Sequence, residues 1–127
     1  MNTLEKYLKL RTFINDIERR GLVYGASFSE FVILRTITEE GPSGVRRVDL
    51  ADTVGMSISG VTRALVPLEK LGYIQKLDQA LDARVRRVGL TESGSQLYAD
   101  ILSDVQARLE RSTADLDQLL QSIATLK

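Results

Sequence analysis

The sequence predicts a mainly α-helical fold with one small β-hairpin, and three observations carry that prediction. From Leu50 to Gly72 two apolar helical patterns are separated by Gly55, and Ser57 is placed to cap the second. From Tyr73 to Leu90 two stretches of alternating character flank the polar loop 78–83. Before residue 27 and after residue 92, apolar residues recur at helical spacing over more face than one chain covers by itself. Together they describe a winged helix-turn-helix over 27–92, flanked by helical segments at 1–26 and 93–127.

Composition narrows the function classes. A chain of 127 residues, 43% hydrophobic and 27% charged, is expected to be soluble and globular, as one domain or one domain with a helical extension. No apolar run approaches the ~20 residues of a membrane span. Glu5, Lys6 and Lys9 interrupt the first ten residues, so no secretory signal is expected and the location should be cytoplasmic. Cysteine and histidine are both absent, which removes disulfides, thiol nucleophiles and the common zinc and haem sites. The remaining carboxylates and lysines show no pairing that demands chemistry. An enzyme is not expected, and no cofactor or metal is implied.

Net charge is zero but unevenly distributed. Between Ser43 and Leu90 the basic residues are Arg46, Arg47, Arg63, Lys70, Lys76, Arg84, Arg86 and Arg87, against Asp49, Asp52, Glu69, Asp78 and Asp82. A basic middle between acidic ends is the asymmetry of a chain whose central face meets phosphates, although ordinary charge scatter explains it about as well.

Along the chain, Leu4, Tyr7, Leu8, Arg11, Ile14 and Ile17 recur at helical spacing, with Leu10 and Phe13 as a second apolar edge. Gly21 ends this helix after Arg19 and Arg20, whose charge suits a helix C-terminus. Ser27 and Glu30 form a capping box for a second helix, buried through Phe28, Phe31, Val32, Leu34 and Ile37. The Gly41-Pro42-Ser43-Gly44 cluster stops it near Glu40, and Val45 to Arg47 reads as a short strand. A short helix over 48–54 turns Leu50, Ala51 and Val54 inward. In the next helix Ile58, Val61, Leu65, Leu68 and Leu71 form the core stripe, leaving Ser57, Ser59, Gly60, Thr62, Arg63 and Lys70 elsewhere on its surface. Pro67 lies inside that helix and predicts a kink or an opened turn between Arg63 and Pro67. Gly72 stops the helix, 73–77 and 84–90 are the two strands of the wing, and Thr91 caps a long helical region. There Leu97, Ile101, Val105 and Leu109 form one stripe and Leu116, Leu119, Ile123 and Leu126 another, with a bend or break at Arg111-Ser112-Thr113.

Three stretches resemble the MarR family of bacterial winged-helix transcription regulators. They are Leu50-Ala51 entering the helix-turn-helix, Ser57 through Val61-Thr62-Arg63 to Leu68-Glu69-Lys70-Leu71-Gly72-Tyr73-Ile74, and Asp82-x-Arg84 followed by Val88-x-Leu90-Thr91-x-x-Gly94. Pro67 departs from the family's usual polar residue. The resemblance implies a homodimeric regulator, a repressor, whose terminal helices intertwine. It would bind a roughly palindromic duplex with the helix of about 57–71 in the major groove and the wing of about 78–87 in the minor groove. It also implies a small acidic or phenolic effector; Tyr7, Arg11, Phe28 and Arg35 could line its site, although packing and solvation explain them equally well.

The residue chemistry supplies the contacts. Arg63 is long enough to reach a guanine edge or a phosphate. Ser57, Ser59 and Thr62 offer short hydroxyls, and Gly60 lets backbone approach a duplex closely. Arg84 at the wing tip suits a narrow minor groove, with Asp82 as its orienting partner. Arg86 and Arg87 alternate on a strand, so one is expected on phosphate and the other in a structural role. Arg46 and Arg47 are further phosphate candidates. The alternative reading is a winged-helix module for protein–protein contact without specific DNA binding.

Overall fold

The computed structural model describes residues 2–77, 81–82, 84–111 and 113–124. Helix α1 (Thr3–Glu18) is capped by Asn2, whose side chain accepts the Glu5 N–H at 2.9 Å, and it buries none of its residues. A linker then leads to α2 (Phe28–Glu40), where the capping box forms: Ser27 Oγ accepts the Glu30 N–H at 3.0 Å and Glu30 Oε1 accepts the Ser27 N–H at 3.2 Å. Two orphan donors of the first turn are thereby satisfied. Phe31, Ile33, Leu34 and Ile37 of α2 run through the core.

The core is closed around α2 by Leu50 of α3 (Arg47–Val54), Val61 and Leu65 of α4 (Ile58–Lys70), Val88 of the sheet and Ile101 of α5 (Glu92–Glu110). Gly55 joins α3 to α4 at φ 74°, the left-handed conformation that lets one residue turn the chain sharply. Ser57 then caps α4, its Oγ accepting the Gly60 N–H at 3.0 Å. Because α4 lays Val61, Leu65 and Leu68 inward from a fixed cap, its opposite side is committed to the surface.

Pro67 does not open this helix. Helix α4 runs unbroken from Ile58 to Lys70, and the Leu71 N–H still donates to the Pro67 carbonyl at 3.0 Å. The opened turn expected between Arg63 and Pro67 is therefore corrected. The proline costs the single bond its missing N–H would have made to the Arg63 carbonyl, and both residues lie on the exposed side where water reaches that oxygen.

The sheet has three strands rather than a bare hairpin. Strands β1 (Val45–Arg46), β2 (Ile74–Lys76) and β3 (Arg87–Leu90) lie in the order β1-β3-β2, all antiparallel. Register places Val45 opposite Val88, Arg46 opposite Arg87 and Ile74 opposite Leu90. The returning strand expected from Arg84 begins only at Arg87. Before it, the carbonyls of Arg84 and Arg86 are taken by the N–H groups of Val48 (3.0 Å) and Arg47 (3.3 Å), so that segment caps α3 instead of extending the ladder with β2.

Thr91 caps α5 by accepting the Gly94 N–H at 3.1 Å and donates its hydroxyl to the Gly72 carbonyl. A Cβ at Gly94 would collide with the Tyr73 carbonyl, which gives the Leu-Thr-x-x-Gly pattern a packing reason: α5 starts hard against the end of the helix-turn-helix. Helix α5 stops at Glu110 and α6 (Thr113–Ala124) follows, at the break expected from the polar patch. The linker after α1 is strapped to α5. Arg108 donates to the carbonyls of Arg20 (2.7 Å) and Gly21 (3.0 Å), and Asp104 accepts the Val23 N–H (3.0 Å). None of the described helices is long and apolar enough to cross a membrane.

Candidate nucleic-acid interface

Two elements present basic and hydroxyl side chains outward. On α4, Ser59 and Arg63 are exposed, and Arg63 makes no ion pair among the described residues. Ser57 is exposed with its hydroxyl committed to the cap. Gly60 is half-buried; a Cβ there would sit 3.2 Å from both Met56 Cε and Ser57 Oγ, so its smallness protects the first turn of α4. Thr62 stands at the flank of this surface, half-buried.

On the wing, Arg84 is held from two sides of Asp82. Asp82 Oδ1 accepts the Arg84 backbone N–H (2.9 Å) and Nε (3.3 Å), while Oδ2 accepts Nη2 (3.1 Å). The guanidinium hydrogen bond holds the Asp82 carboxyl below the usual carboxylate range and raises the pKa of Arg84. The Arg84 side chain nevertheless stays 65% exposed, fixed at its base with its surface open. Residues 78–80 and 83, within the expected wing of 78–87, lie outside the described residues.

The remaining arginines separate by environment. Arg46 is half-buried and paired with Asp49, Nε to Oδ2 at 2.8 Å and Nη2 to Oδ1 at 3.2 Å, a fork that lowers the Asp49 pKa. Asp49 was legible as a partner three residues on in the same turn. Arg87 is exposed and reaches the Gly44 carbonyl at 3.5 Å; Arg86 is half-buried. Arg47 is 6% exposed, with Nη1 3.5 Å from Thr62 Oγ1. A guanidinium so covered has no surface for a phosphate, and its expected role as a phosphate ligand is corrected. The signal was present in its spacing: Arg47, Leu50 and Ala51 share one buried helical face, with Val54 partly buried beside them.

The four candidate effector residues do not converge within one chain. Phe28 lies beneath the Arg108 guanidinium, 5.7 Å from its ring centre, and lines an apolar cleft of about 400 Å³ between α1, α2, α5 and α6. Tyr7 and Arg11 are exposed on α1, and Arg35 pairs with Glu39 at 2.8 Å on the outer side of α2. The cleft is walled by Leu10, Phe13, Phe31, Leu109 and Leu119 instead.

Residues 27–85, which hold the helix-turn-helix and the wing up to Arg84, match the model of the MarR family. Residues 27–85 form a MarR-type winged helix, a fold shared with transcription regulators. One relative, YxaD of Bacillus subtilis, an uncharacterized HTH-type transcriptional regulator, is 28% identical over 96% of this chain and 78% of its own length. AbsC of Streptomyces coelicolor, described as a MarR family transcriptional regulator, superposes with a TM-score of 0.72 at 20% identity over 95% of this chain and 88% of its own. A mutant of S. aureus MepR bound to an oligodeoxyribonucleotide superposes at 0.57 with 19% identity, over 97% of this chain and 99% of its own.

Proposed function

We propose that this MarR-family chain acts as a homodimeric repressor, with α4 in the major groove and the wing in the adjacent minor groove of a roughly palindromic duplex. The observation that carries the reading is the pairing of two outward-facing features on one rigid frame. Ser59 and Arg63 stand on the side of α4 away from its buried stripe, and Arg84 is clamped at its base by Asp82 while its outer surface stays open. An arginine held this way is prepared for the negative potential of a narrow minor groove. That the MepR mutant, which shares the fold, is bound to an oligodeoxyribonucleotide supports the DNA-binding part of this reading.

The flanking helices, at 1–26 and 93–127, would form the dimer. Helix α1 has no fully buried residue within its own chain and leaves Leu4, Tyr7, Leu8 and Ile14 exposed, a face that a second copy would cover. Two-fold symmetry would set the recognition helices one duplex turn apart, about 34 Å. A small acidic or phenolic effector would bind where the two copies complete a pocket, because one chain does not gather Tyr7, Arg11, Phe28 and Arg35.

The test is binding to duplex DNA across a salt series. Wild-type protein should bind a random duplex pool at low salt and recover a roughly palindromic site from it. Arg84→Ala should weaken binding to every sequence and reduce the salt slope by about 1. An unchanged affinity and slope would remove Arg84 from the groove. Complete absence of binding at low salt would favour the protein–protein module.

A further inference from the structure

We infer that Arg47 is a positioning residue that ties α4 to the wing through Thr62, rather than a ligand of DNA. The inference rests on the DNA-binding reading above. Arg47 is the only buried charged residue among the described residues, at 6% exposure. It touches both DNA-facing elements. Its backbone N–H donates to the Arg86 carbonyl at the root of the wing (3.3 Å), and the next N–H, of Val48, donates to the Arg84 carbonyl (3.0 Å). Its side chain crosses to α4, where Nη1 approaches Thr62 Oγ1 at 3.5 Å, one residue from Arg63.

Helix α3 has no side-chain cap at Arg46, so these wing carbonyls occupy the place a cap would take. The first turn of α3 is thus built onto the wing by main chain, and the Arg47 guanidinium extends that attachment to α4. The arrangement is unfavourable as packing alone. Nε is buried without a hydrogen-bond partner, and no carboxylate pairs with the cation among the described residues. An unbranched apolar residue of similar length would fill the space without that desolvation cost. What only the arginine supplies is a planar, rigid donor group that spans the seam to the Thr62 hydroxyl. Its consequence is orientation. The angle between the Ser59–Arg63 face and Arg84 is preset, so a correct duplex meets both elements without either having to be ordered on binding.

The experiment compares wild type, Arg47→Met, Thr62→Val and the double variant on two probes: the tightest duplex that the wild type recovers from a random pool, and the unselected pool. Circular dichroism establishes that each variant is folded. Both single variants should lower the selected-to-unselected affinity ratio by about tenfold, equivalent to ~1.4 kcal/mol. The double variant should lose no more than the worse single, because one link is broken either way. The Arg47→Met salt slope should coincide with that of wild type, since no phosphate contact is removed. If Arg47→Met does not fold, the same cycle is run with Arg47→Lys, whose single point donor should lose part of the ratio and remain coupled to Thr62→Val. A salt slope reduced by about 1 would make Arg47 a phosphate ligand and overturn the inference. Additive losses, or a ratio equal to wild type, would also overturn it while leaving the DNA-binding reading intact. Failure of the wild type itself to bind either probe would overturn both.

Discussion

Two aspartates, Asp49 in the first turn of α3 and Asp82 on the wing, each serve one guanidinium, and in each the arginine's hydrogen bond is the main reason the carboxyl titrates below its ordinary value. The sign of the resulting pH dependence follows from linkage. A carboxyl with a lowered folded-state pKa adds stability that is complete above the unfolded value, about 3.9, and is lost as pH falls through the folded-state value. Between neutrality and pH ~4 the Arg84 clamp should therefore hold unchanged, and it should release only in stronger acid. A carboxyl-carbon NMR titration checks this residue by residue. Arg84→Ala should raise the Asp82 midpoint and leave Asp49 in place, while Arg46→Ala should do the reverse. Midpoints that stay where they were in both variants would mean the pairs seen here do not persist in solution. Neither pair should register in global stability, because both are open to solvent and screened. Their role is geometric: Asp82 fixes the base of a side chain whose outer surface is still available.

At the scale of elements, Pro67 shows what local rules leave undecided. A proline inside a helix removes one bond and crowds the carbonyl four residues before it, yet α4 continues unbroken to Lys70. Continuity has a reason in packing. Val61, Leu65 and Leu68 lock α4 into the core on both sides of the proline, and that packing outweighs one lost bond at an exposed position. Pro67→Ala should then stabilise the fold by about 2–3 kcal/mol, measured by denaturant unfolding at fixed protein concentration. An unchanged midpoint would mean that α4 already avoids the strain its sequence implies. The same division separates what was legible from what was not. Ser27, Glu30, Gly55, Ser57, Gly72 and Thr91 act on neighbours within a few residues, so caps and stops could be read directly. That Val45–Arg46 is a strand could be read too, but not that it pairs with β3, because strand partners are chosen by tertiary approach. Arg84 reads as strand by alternation, and the structure withdraws it because α3 takes the neighbouring carbonyls as its cap. Arg47, expected at the surface by residue type, is buried because α3 begins at Arg47 rather than Val48 and sets it on the same buried face as Leu50 and Ala51.

For the molecule as a whole, the imbalance between its two parts is the main structural fact. The winged helix encloses a complete core around Ile33, Leu34, Leu50 and Ile101, whereas no residue of α1 is fully buried. Helix α1 is fixed at its C-terminal end, where Arg108 grips the carbonyls of Arg20 and Gly21, and its apolar face beyond that point is uncovered, with Leu4 63% and Ile14 44% exposed. Isolated helices of this length are marginal in water, so α1 needs a covering surface to persist. The cleft walled by Leu10, Phe13, Phe31, Leu109 and Leu119 covers one edge of it. A two-fold partner would cover the rest with the same residues, as isologous contacts require. Replacing Leu8 and Ile14 together by glutamate should then leave the winged-helix core folded and convert the protein to a monomer, read by sedimentation equilibrium. The wild-type melting temperature should rise with protein concentration, and that of the variant should not. Affinity for a palindromic duplex should fall by at least ~100-fold, because each monomer would engage its half-site without the gain from linkage. Affinity for a single half-site should be nearly unchanged. A variant that remains dimeric would place the pairing surface elsewhere, and a variant that is monomeric but binds the palindrome as tightly as wild type would separate dimerisation from DNA recognition.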